Sequence, residues 1–298
     1  MGRGILGRRG FRQRLRVRYL IRLRHLDLLQ LNLTEIVRGR AGKKGKWIPS
    51  FLLRGLERVI HQDELNEMLR VAHPAQGSAF SHRILEFLDI EVSVKGLDSL
   101  PTDRPFVFAS NHPLGGLDGI ALVGVLGSRY GDENIRVMVN DLLMNVTPLA
   151  RVFLPINKYG SKGARESSRL LSESMDAGRH ILMFPAGLVS RLHPGGEIKD
   201  LQWKKSFVSK ALEYGREIVP VKFEGYNSMK FYRTARRRKR LGVKINIEQA
   251  LLPGEVCKSR GKKFSITFGS PVDPAALKAE GLSLSAIVDR IYRSVYEL

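Results

Sequence analysis

The hydrophobic positions along the chain follow two successive patterns. Between Leu33 and Arg70, apolar residues recur mostly at spacings of three and four, which is typical of amphipathic helices. After Leu88 the pattern changes to short apolar runs that are separated by helical stretches. The sequence therefore predicts an N-terminal helical layer, followed by a longer part in which strands and helices alternate.

The apolar runs after Leu88 predict the strands of an α/β sheet. They are Ile90–Val94, Phe106–Ala109, Ile135–Val139, Val152–Ile156, Ile181–Phe184, Ile218–Phe223, Val243–Ile247 and Phe264–Phe268. The stretches between them predict helices at Leu117–Leu126, Asp141–Arg151, Ala164–Ala177, Trp203–Tyr214 and Leu284–Tyr296. In such a fold we expect the chemistry at the carboxyl ends of the strands.

We divide the chain into a basic arm at 1–32, a helical segment at 33–80 and a main domain at 81–298. No internal repeat, heptad run or low-complexity linker requires a further division. No apolar run approaches the roughly 18 residues that a membrane-spanning helix needs, so we expect no such helix. Arginine dominates the arm, and we interpret it as a helix on anionic lipid, a disordered arm, or sequence upstream of the true start.

Composition narrows the class of protein. With 43% hydrophobic and 27% charged residues, the chain is typical of folded globular proteins and not of collagenous, disulfide-scaffold or disordered ones. Its one cysteine, Cys257, excludes an internal disulfide and a cysteine-based zinc cluster. No secretory signal is visible, so we expect a cytoplasmic protein.

The charge predicts a negatively charged partner. Fifty basic residues against 29 acidic ones give a net charge of +21, which favours phosphates, anionic lipid or an acidic protein. One cluster places six cations within residues 233–240. It is compatible with nucleic acid, but no helix-turn-helix, RNP or zinc pattern accompanies it, and docking to an acidic carrier protein or to lipid headgroups explains it equally well.

The first candidate for chemistry follows the strand at Phe106–Ala109. There His112 precedes a Pro-Leu-Gly-Gly turn, and Asp118 enters the next helix. A neutral imidazole takes a proton from a hydroxyl near neutral pH, and a carboxylate on its other nitrogen fixes the tautomer. We interpret His112 as a general base and Asp118 as its partner; the alternative is a loop histidine that caps backbone groups.

The second candidate is the loop 184–191, which follows the strand at Ile181–Phe184. Arg191 suits a carboxylate or phosphate because its planar fork donates two parallel hydrogen bonds. Ser190 lacks the G-x-S-x-G frame of a hydrolase nucleophile. The other histidines show no metalloprotease spacing, and we predict no metal.

Taken together, the two loops resemble the glycerolipid acyltransferases, which acylate lysophosphatidic acid and related lysolipids. Asn111-His112 and Asp118 match their first block, although five residues instead of four separate the histidine from the aspartate. Residues 184–191 match a later block, with Ala186 in place of the usual glutamate. Weaker matches are 153–158 and 218–221. The residues of the two blocks, 111–119 and 184–191, are most similar to a bacterial branch of the family that is labelled hemolysin. That branch includes O-acyltransferases of ornithine and glycine lipids.

The resemblance implies a mixed central sheet flanked by helices. It also implies an O-acyltransferase of membrane lipid biosynthesis, in which a fatty acyl group moves from acyl carrier protein or acyl-CoA to a hydroxyl of a lysolipid or N-acyl amino-acid lipid. His112 would be the base and Asp118 its partner, and no cofactor is needed beyond the thioester. Substrate contacts are implied at Asn111, Gly115, Gly116, Lys158, Gly187, Ser190 and Arg191.

Further expectations follow from the resemblance. Backbone N–H groups around Gly187 would face the oxyanion, and the protein would sit peripherally on the cytoplasmic face of an anionic membrane. Ala186 argues for an acceptor other than glycerol 3-phosphate; Glu197 or Asp200 could supply a substitute carboxylate, but we favour solvated loop acids. Two alternatives remain open at this stage: a basic nucleic-acid-binding protein, and a non-catalytic lipid-binding relative.

Overall fold

A computed structural model describes Thr34 and residues 49–156, 161–243 and 246–298. The predicted arm at 1–32 lies outside these residues. The helices are α1 Ser50–Val59, α2 Gln62–Ala72, α3 Gly77–Phe87, α4 Leu117–Tyr130, α5 Ser161–Asp176, α6 Ser206–Glu213, α7 Met229–Arg240, α8 Leu252–Cys257, α9 Pro274–Ala279 and α10 Leu284–Glu297. The strands are β1 Glu91–Lys95, β2 Val107–Ser110, β3 Ile135–Asn140, β4 Phe153–Ile156, β5 His180–Met183, β6 Arg191–Leu192, β7 Ile198–Lys199, β8 Ile218–Glu224 and β9 Lys263–Phe268.

Seven strands form one mixed sheet in the order β1-β9-β8-β2-β5-β3-β4. Every neighbouring pair is parallel except β8 and β9, which are antiparallel. The strands β6 and β7 pair separately as a short antiparallel hairpin. The expected α/β fold with a mixed central sheet flanked by helices is confirmed.

Helices cover the sheet on both faces, and because side chains alternate along each strand, a strand contributes to both cores. On β2, Phe108 packs into a core with α3 and α4, whereas Val107 and Ala109 pack into a second core with α6 and α10. Strands covered on both sides read as continuous apolar runs. This is why the central strands were visible in the sequence.

The N-terminal helices form the predicted helical layer. The boundary that we predict at 80/81 falls inside α3, whose Phe80 and Ile84 lie in the same core as the sheet. Helix α2 begins after His61, which has a left-handed φ of 56° and separates it from α1. The layer is therefore continuous with the main core through α3.

Two predicted elements are wrong. Residues 141–151 form two short 3₁₀ helices, Asp141–Asn145 and Thr147–Leu149, because Pro148 has no N–H to continue an α-helix. The described residues of the strand predicted at 243–247 do not form a strand either: Val243 closes the turn after α7, and Ile247 begins a 3₁₀ helix. The helix α7 was read from the sequence only as a cluster of charges.

Candidate active site

The loops that follow the parallel strands β2, β5 and β8 lie at the same edge of the sheet. The strand β2 lies between β5 and β8, so the carboxyl ends of all three meet there. Asn111, directly after β2, donates from Nδ2 to the Phe223 carbonyl at 2.9 Å and accepts the Phe223 N–H at 2.7 Å. Its amide thereby fixes the end of β2 against β8, immediately before His112.

The two side chains of the first candidate motif meet in the structure. His112 Nδ1 lies 3.0 Å from Asp118 Oδ2; the His112 side chain is 16% exposed and Asp118 is fully buried. Because a carboxylate accepts, Nδ1 carries the hydrogen and Nε2 keeps the lone pair. The arrangement leaves Nε2 as the nitrogen that can take a proton.

The longer turn reaches this geometry through its backbone. Asp118 Oδ2 also accepts the N–H groups of Leu114 at 2.9 Å and Gly115 at 3.1 Å, and Oδ1 accepts that of Gly119 at 2.8 Å. Gly115 has a φ of +88°, which L side chains rarely adopt. The five-residue spacing therefore still brings the carboxylate to the imidazole.

Replacing Gly115 by alanine should damage this turn. An added Cβ would lie 2.8 Å from Val189 Cγ2 and 3.0 Å from a Leu252 methyl, at a strained φ. We expect a loss of about 1–3 kcal/mol in the free energy of unfolding, together with lower activity, measured by denaturant unfolding and initial rates. Gly195→Ala, where no atom lies within 4 Å, is the matched control and should change neither. Equal effects of the two variants would contradict this account of the turn.

Electrostatics set the protonation of the pair. Burial opposes the charged imidazolium, but the carboxylates of Asp118 and Asp200 outweigh it and raise the pKa of His112 above its ordinary 6.5. Burial likewise opposes the Asp118 carboxylate, but His112 and the turn amides hold its pKa below its ordinary value. Asp118 is thus a stable anion, positioned to stabilise an imidazolium.

The second loop packs directly on the imidazole. The Phe184 ring lies over the His112 ring, with centroids 4.1 Å apart and planes inclined by 31°. Ser190 donates its N–H to the His112 carbonyl at 2.8 Å. The two candidate motifs, distant in sequence, therefore form one site.

Asp200 is a site residue that the sequence interpretation underestimated. It is buried, not solvated: Oδ1 accepts the His112 N–H at 3.2 Å and the Ser190 hydroxyl at 2.5 Å, and Oδ2 accepts the Trp203 indole at 2.9 Å. Burial raises its pKa, although these donors oppose the rise. Glu197, in contrast, is exposed and pairs with Lys199. The apolar Trp203 three residues later was the available signal that Asp200 points inward.

Arg191 lies in a largely buried ionic chain. Its Nη2 donates to Glu248 Oε1 at 2.8 Å, and its Nη1 donates to the Val189 carbonyl at 2.6 Å. Glu248 is fully buried, and its Oε2 lies 2.8 Å from Arg238 Nε, within ion-pair distance but not aligned as a hydrogen bond. Two arginines thus share one carboxylate. Burial lowers the pKa of Arg191, although Glu248 opposes this.

The other residues that we predict to contact substrate have different positions in the structure. Gly187 has a φ of +66°, and its N–H donates to the Phe184 carbonyl at 2.9 Å, so this N–H is already engaged. Gly116 lies next to Val256, and Lys158 lies outside the described residues. Asn227, which the sequence did not point to, donates to the carbonyls of the turn before Asp118.

A cavity of about 250 Å³ opens at the opposite edge of the sheet. Arg104, Tyr130 and His180 are among its lining residues, and His180 begins β5. The cavity therefore lies at the amino ends of the strands, away from His112. Burial lowers the pKa of His180 to about 4, so its imidazole is neutral near pH 7.

Comparison with known proteins identifies the family of this chain. Residues 35–298 match the model of a family described as acyltransferase. The chain is 46% identical over 246 residues to the lyso-glycine lipid O-acyltransferase of Phocaeicola vulgatus, covering 83% of this chain and 87% of that protein. The chain belongs to the acyltransferase family. The enzyme of the same name from Bacteroides thetaiotaomicron is 43% identical over 83% of this chain and 89% of its own length.

A solved structure is also similar to this acyltransferase. It is the 1-acyl-sn-glycerophosphate (LPA) acyltransferase PlsC from Thermotoga maritima, with 19% identity, a TM-score of 0.48, and coverage of 89% of this chain and 94% of that one.

The family model and the two lyso-glycine lipid O-acyltransferases establish the enzyme class. The protein is an acyltransferase, with an acyl donor and an acceptor as its substrates, and the nucleic-acid alternative is not favoured. The longer His–Asp spacing no longer supports a non-catalytic relative, because the two side chains are in contact. Within the described ranges, no helix is both long and apolar enough to cross a bilayer.

Proposed function

We propose that this acyltransferase moves a fatty acyl group from a thioester to the hydroxyl of a lyso-glycine lipid. The observation that carries the proposal is the contact between His112 and Asp118, where the carboxyl ends of β2, β5 and β8 meet. The acceptor is proposed from the names of the two relatives above 40% identity. Acyl carrier protein or coenzyme A carries the donor, and no other cofactor is required.

The reaction begins with proton transfer to His112. Nε2 takes the proton of the acceptor hydroxyl as its oxygen attacks the thioester carbonyl, and Asp118 stabilises the imidazolium that forms. The tetrahedral intermediate then collapses: its C–S bond breaks, the new C–O ester bond remains, and the imidazolium returns the proton to the thiolate. No covalent acyl-enzyme is involved.

The developing oxyanion requires fixed donors, and removal of one such donor typically costs roughly 2.7–4 kcal/mol. We place the oxyanion beside the loop that turns at Gly187. Because the Gly187 N–H donates to the Phe184 carbonyl, the neighbouring N–H groups of the same turn are the candidates.

We place the anionic head of the acceptor near Arg191. The largely buried group of Arg191, Arg238 and Glu248 carries two positive charges and one negative, so it has a net charge of +1. An unbalanced buried charge is costly unless an anion accompanies it. A glycine carboxylate carries the one charge required. Lys158, which we also predict to bind the acceptor, lies outside the described residues.

The site should therefore discriminate acceptors by their carboxylate. With acyl carrier protein or coenzyme A thioesters, the enzyme should form an O-acyl ester on the lyso-glycine lipid and react poorly with its methyl ester, which lacks the charge. Arg191→Gln should raise KM for the acid at least about tenfold, as expected for a lost charged hydrogen bond, and leave the methyl ester largely unaffected. Mass spectrometry of the products and initial rates measure both.

Lys210→Gln, which removes a half-buried cation paired with Glu213 on α6, is the matched control and should keep the discrimination. Absence of ester formation with either thioester and any lysolipid would exclude the proposed activity. Equal use of the acid and the methyl ester would exclude only the carboxylate site. We further propose that the enzyme works peripherally, on the cytoplasmic face of the membrane, in accordance with its net charge of +21.

A further inference from the structure

Helix α7 carries a continuous basic stripe on its exposed face. Its positions are three or four residues apart, so they lie on one side of the helix. The exposed stripe comprises Lys230, Arg233, Arg236, Arg237 and Arg240. Within the described ranges none of these side chains forms an ion pair, and the sequence has no acidic residue between Glu224 and Glu248. The stripe therefore presents uncompensated positive charge.

Large apolar side chains stand exposed at both ends of this stripe. Leu241, directly after α7, is 79% exposed; Met229, its first residue, is 43% exposed, and Tyr226 before it is 68% exposed. From 229 to 241 the helix rises about 18 Å. An amphipathic segment with basic charges and apolar or aromatic side chains is typical of a helix that lies in a membrane interface.

The end of the helix holds Leu241 in place. The N–H of Gly242 donates to the Lys239 carbonyl at 3.2 Å, and the N–H of Val243 donates to the Arg238 carbonyl at 3.2 Å. Gly242 has a φ of +68°, which completes a Schellman cap. Arg238 Nη1 also donates to the Val243 carbonyl at 2.7 Å. Leu241 is thus exposed on an ordered turn and not on a loose loop.

This face adjoins the catalytic site. Asn227, between Tyr226 and α7, donates to the carbonyls of Pro113 and Leu114 in the turn that follows His112. At the other end of α7, Arg238 connects through Glu248 to Arg191. A lipid that leaves a surface in contact with α7 therefore arrives beside the catalytic edge of the sheet.

We propose that Tyr226, Met229, Leu241 and the basic stripe of α7 form a docking face for an anionic bilayer. The proposal rests on the proposed lipid acceptor. Charge alone would also suit an acidic carrier protein, but the exposed apolar side chains at both ends of the stripe favour the bilayer, which offers anionic headgroups and hydrocarbon together.

A fluorescent label can test this face separately from the N-terminal arm. In the full chain with Cys257→Ser, an environment-sensitive dye is attached at Leu241→Cys, or at Asp103→Cys as the control; Asp103 is 78% exposed and precedes β2 at the opposite edge. With vesicles that contain phosphatidylglycerol, the dye at 241 should brighten and shift to the blue, and the dye at 103 should not. Pure phosphatidylcholine vesicles should have little effect on either.

Charge variants complete the test. Arg233→Gln with Arg237→Gln should weaken the response at 241 roughly tenfold or more. Lys262→Gln with Lys278→Gln removes the same charge from exposed positions elsewhere and should leave it nearly unchanged. Both double variants should acylate detergent-dispersed acceptor normally, which separates this proposal from the proposed function. No change of the dye at 241, equal losses in both double variants, or a response to acyl carrier protein instead of vesicles would overturn it.

Discussion

Replacing His112 by alanine should lower kcat by roughly 10²–10⁴-fold, which is what a positioned proton-transfer group contributes. Without Nε2, no group in the described site is placed by Asp118 to receive the hydroxyl proton. The substitution leaves Arg191, the proposed contact of the acceptor head, in place, so KM should change far less than kcat. Initial rates with a lysolipid acceptor and an acyl thioester measure both constants.

The variant must be shown to fold. His112 is held by main-chain contacts to Ser190 and Asp200 that alanine keeps, so we expect little change in thermal unfolding. His82→Ala is the matched control: it removes an exposed imidazole that contacts Ser128 on α4, and kcat should remain near that of the wild type. A folded His112→Ala enzyme with wild-type kcat would exclude His112 as the base.

Replacing Asp118 by asparagine should lower kcat/KM by roughly 10²–10⁴-fold and move its acid limb to lower pH. The proposed base must be neutral to act, so the rate of the wild-type enzyme should fall as the pH drops through the pKa of His112. That pKa is raised because the carboxylates of Asp118 and Asp200 outweigh burial. In Asp118→Asn, of these two carboxylates only that of Asp200 is left to oppose the effect of burial on the His112 imidazolium. The pKa of His112 should therefore fall.

The two readouts separate positioning from structure. A variant that was only destabilised would lose activity at all pH values, and the acid limb of its kcat/KM profile would stay at the same pH. Loss of the Asp118 carboxylate should instead shift that limb to lower pH. Glu197→Gln is the matched control, because this exposed acid lies in the neighbouring loop and its ion pair among the described residues is with Lys199. A limb that stays in place in Asp118→Asn would contradict the electrostatic coupling of the pair.

Most of the sheet could be predicted because its central strands are covered on both faces and therefore appear as continuous apolar runs. The failures have local causes. Pro148 divides a predicted helix into two 3₁₀ turns, and the apolar residues Val243 and Ile247 belong to a helix cap and a 3₁₀ helix. Short apolar runs do not by themselves distinguish a strand from a turn that packs on a helix.

The site was predicted unevenly. His112, Asp118 and Arg191 stand in recognisable local patterns, so the sequence singled them out. Asp200 and Glu248 do not, since an acid in a glycine-rich or irregular loop resembles a solvated one. Only their hydrogen-bond partners, such as the Trp203 indole and the Arg191 guanidinium, show that they belong to the site.

The sequence alone determined the α/β class, the strand ends that carry chemistry, and an imidazole with a carboxylate six residues away. These are local properties, set by side-chain period and by short-range order in the chain. The tertiary structure decided whether that carboxylate reaches the imidazole, which it does because Gly115 adopts a left-handed backbone and three amides fix Asp118. It also decided that Asp200 and Glu248 are buried, because burial depends on segments that come together only when the parallel strands pair.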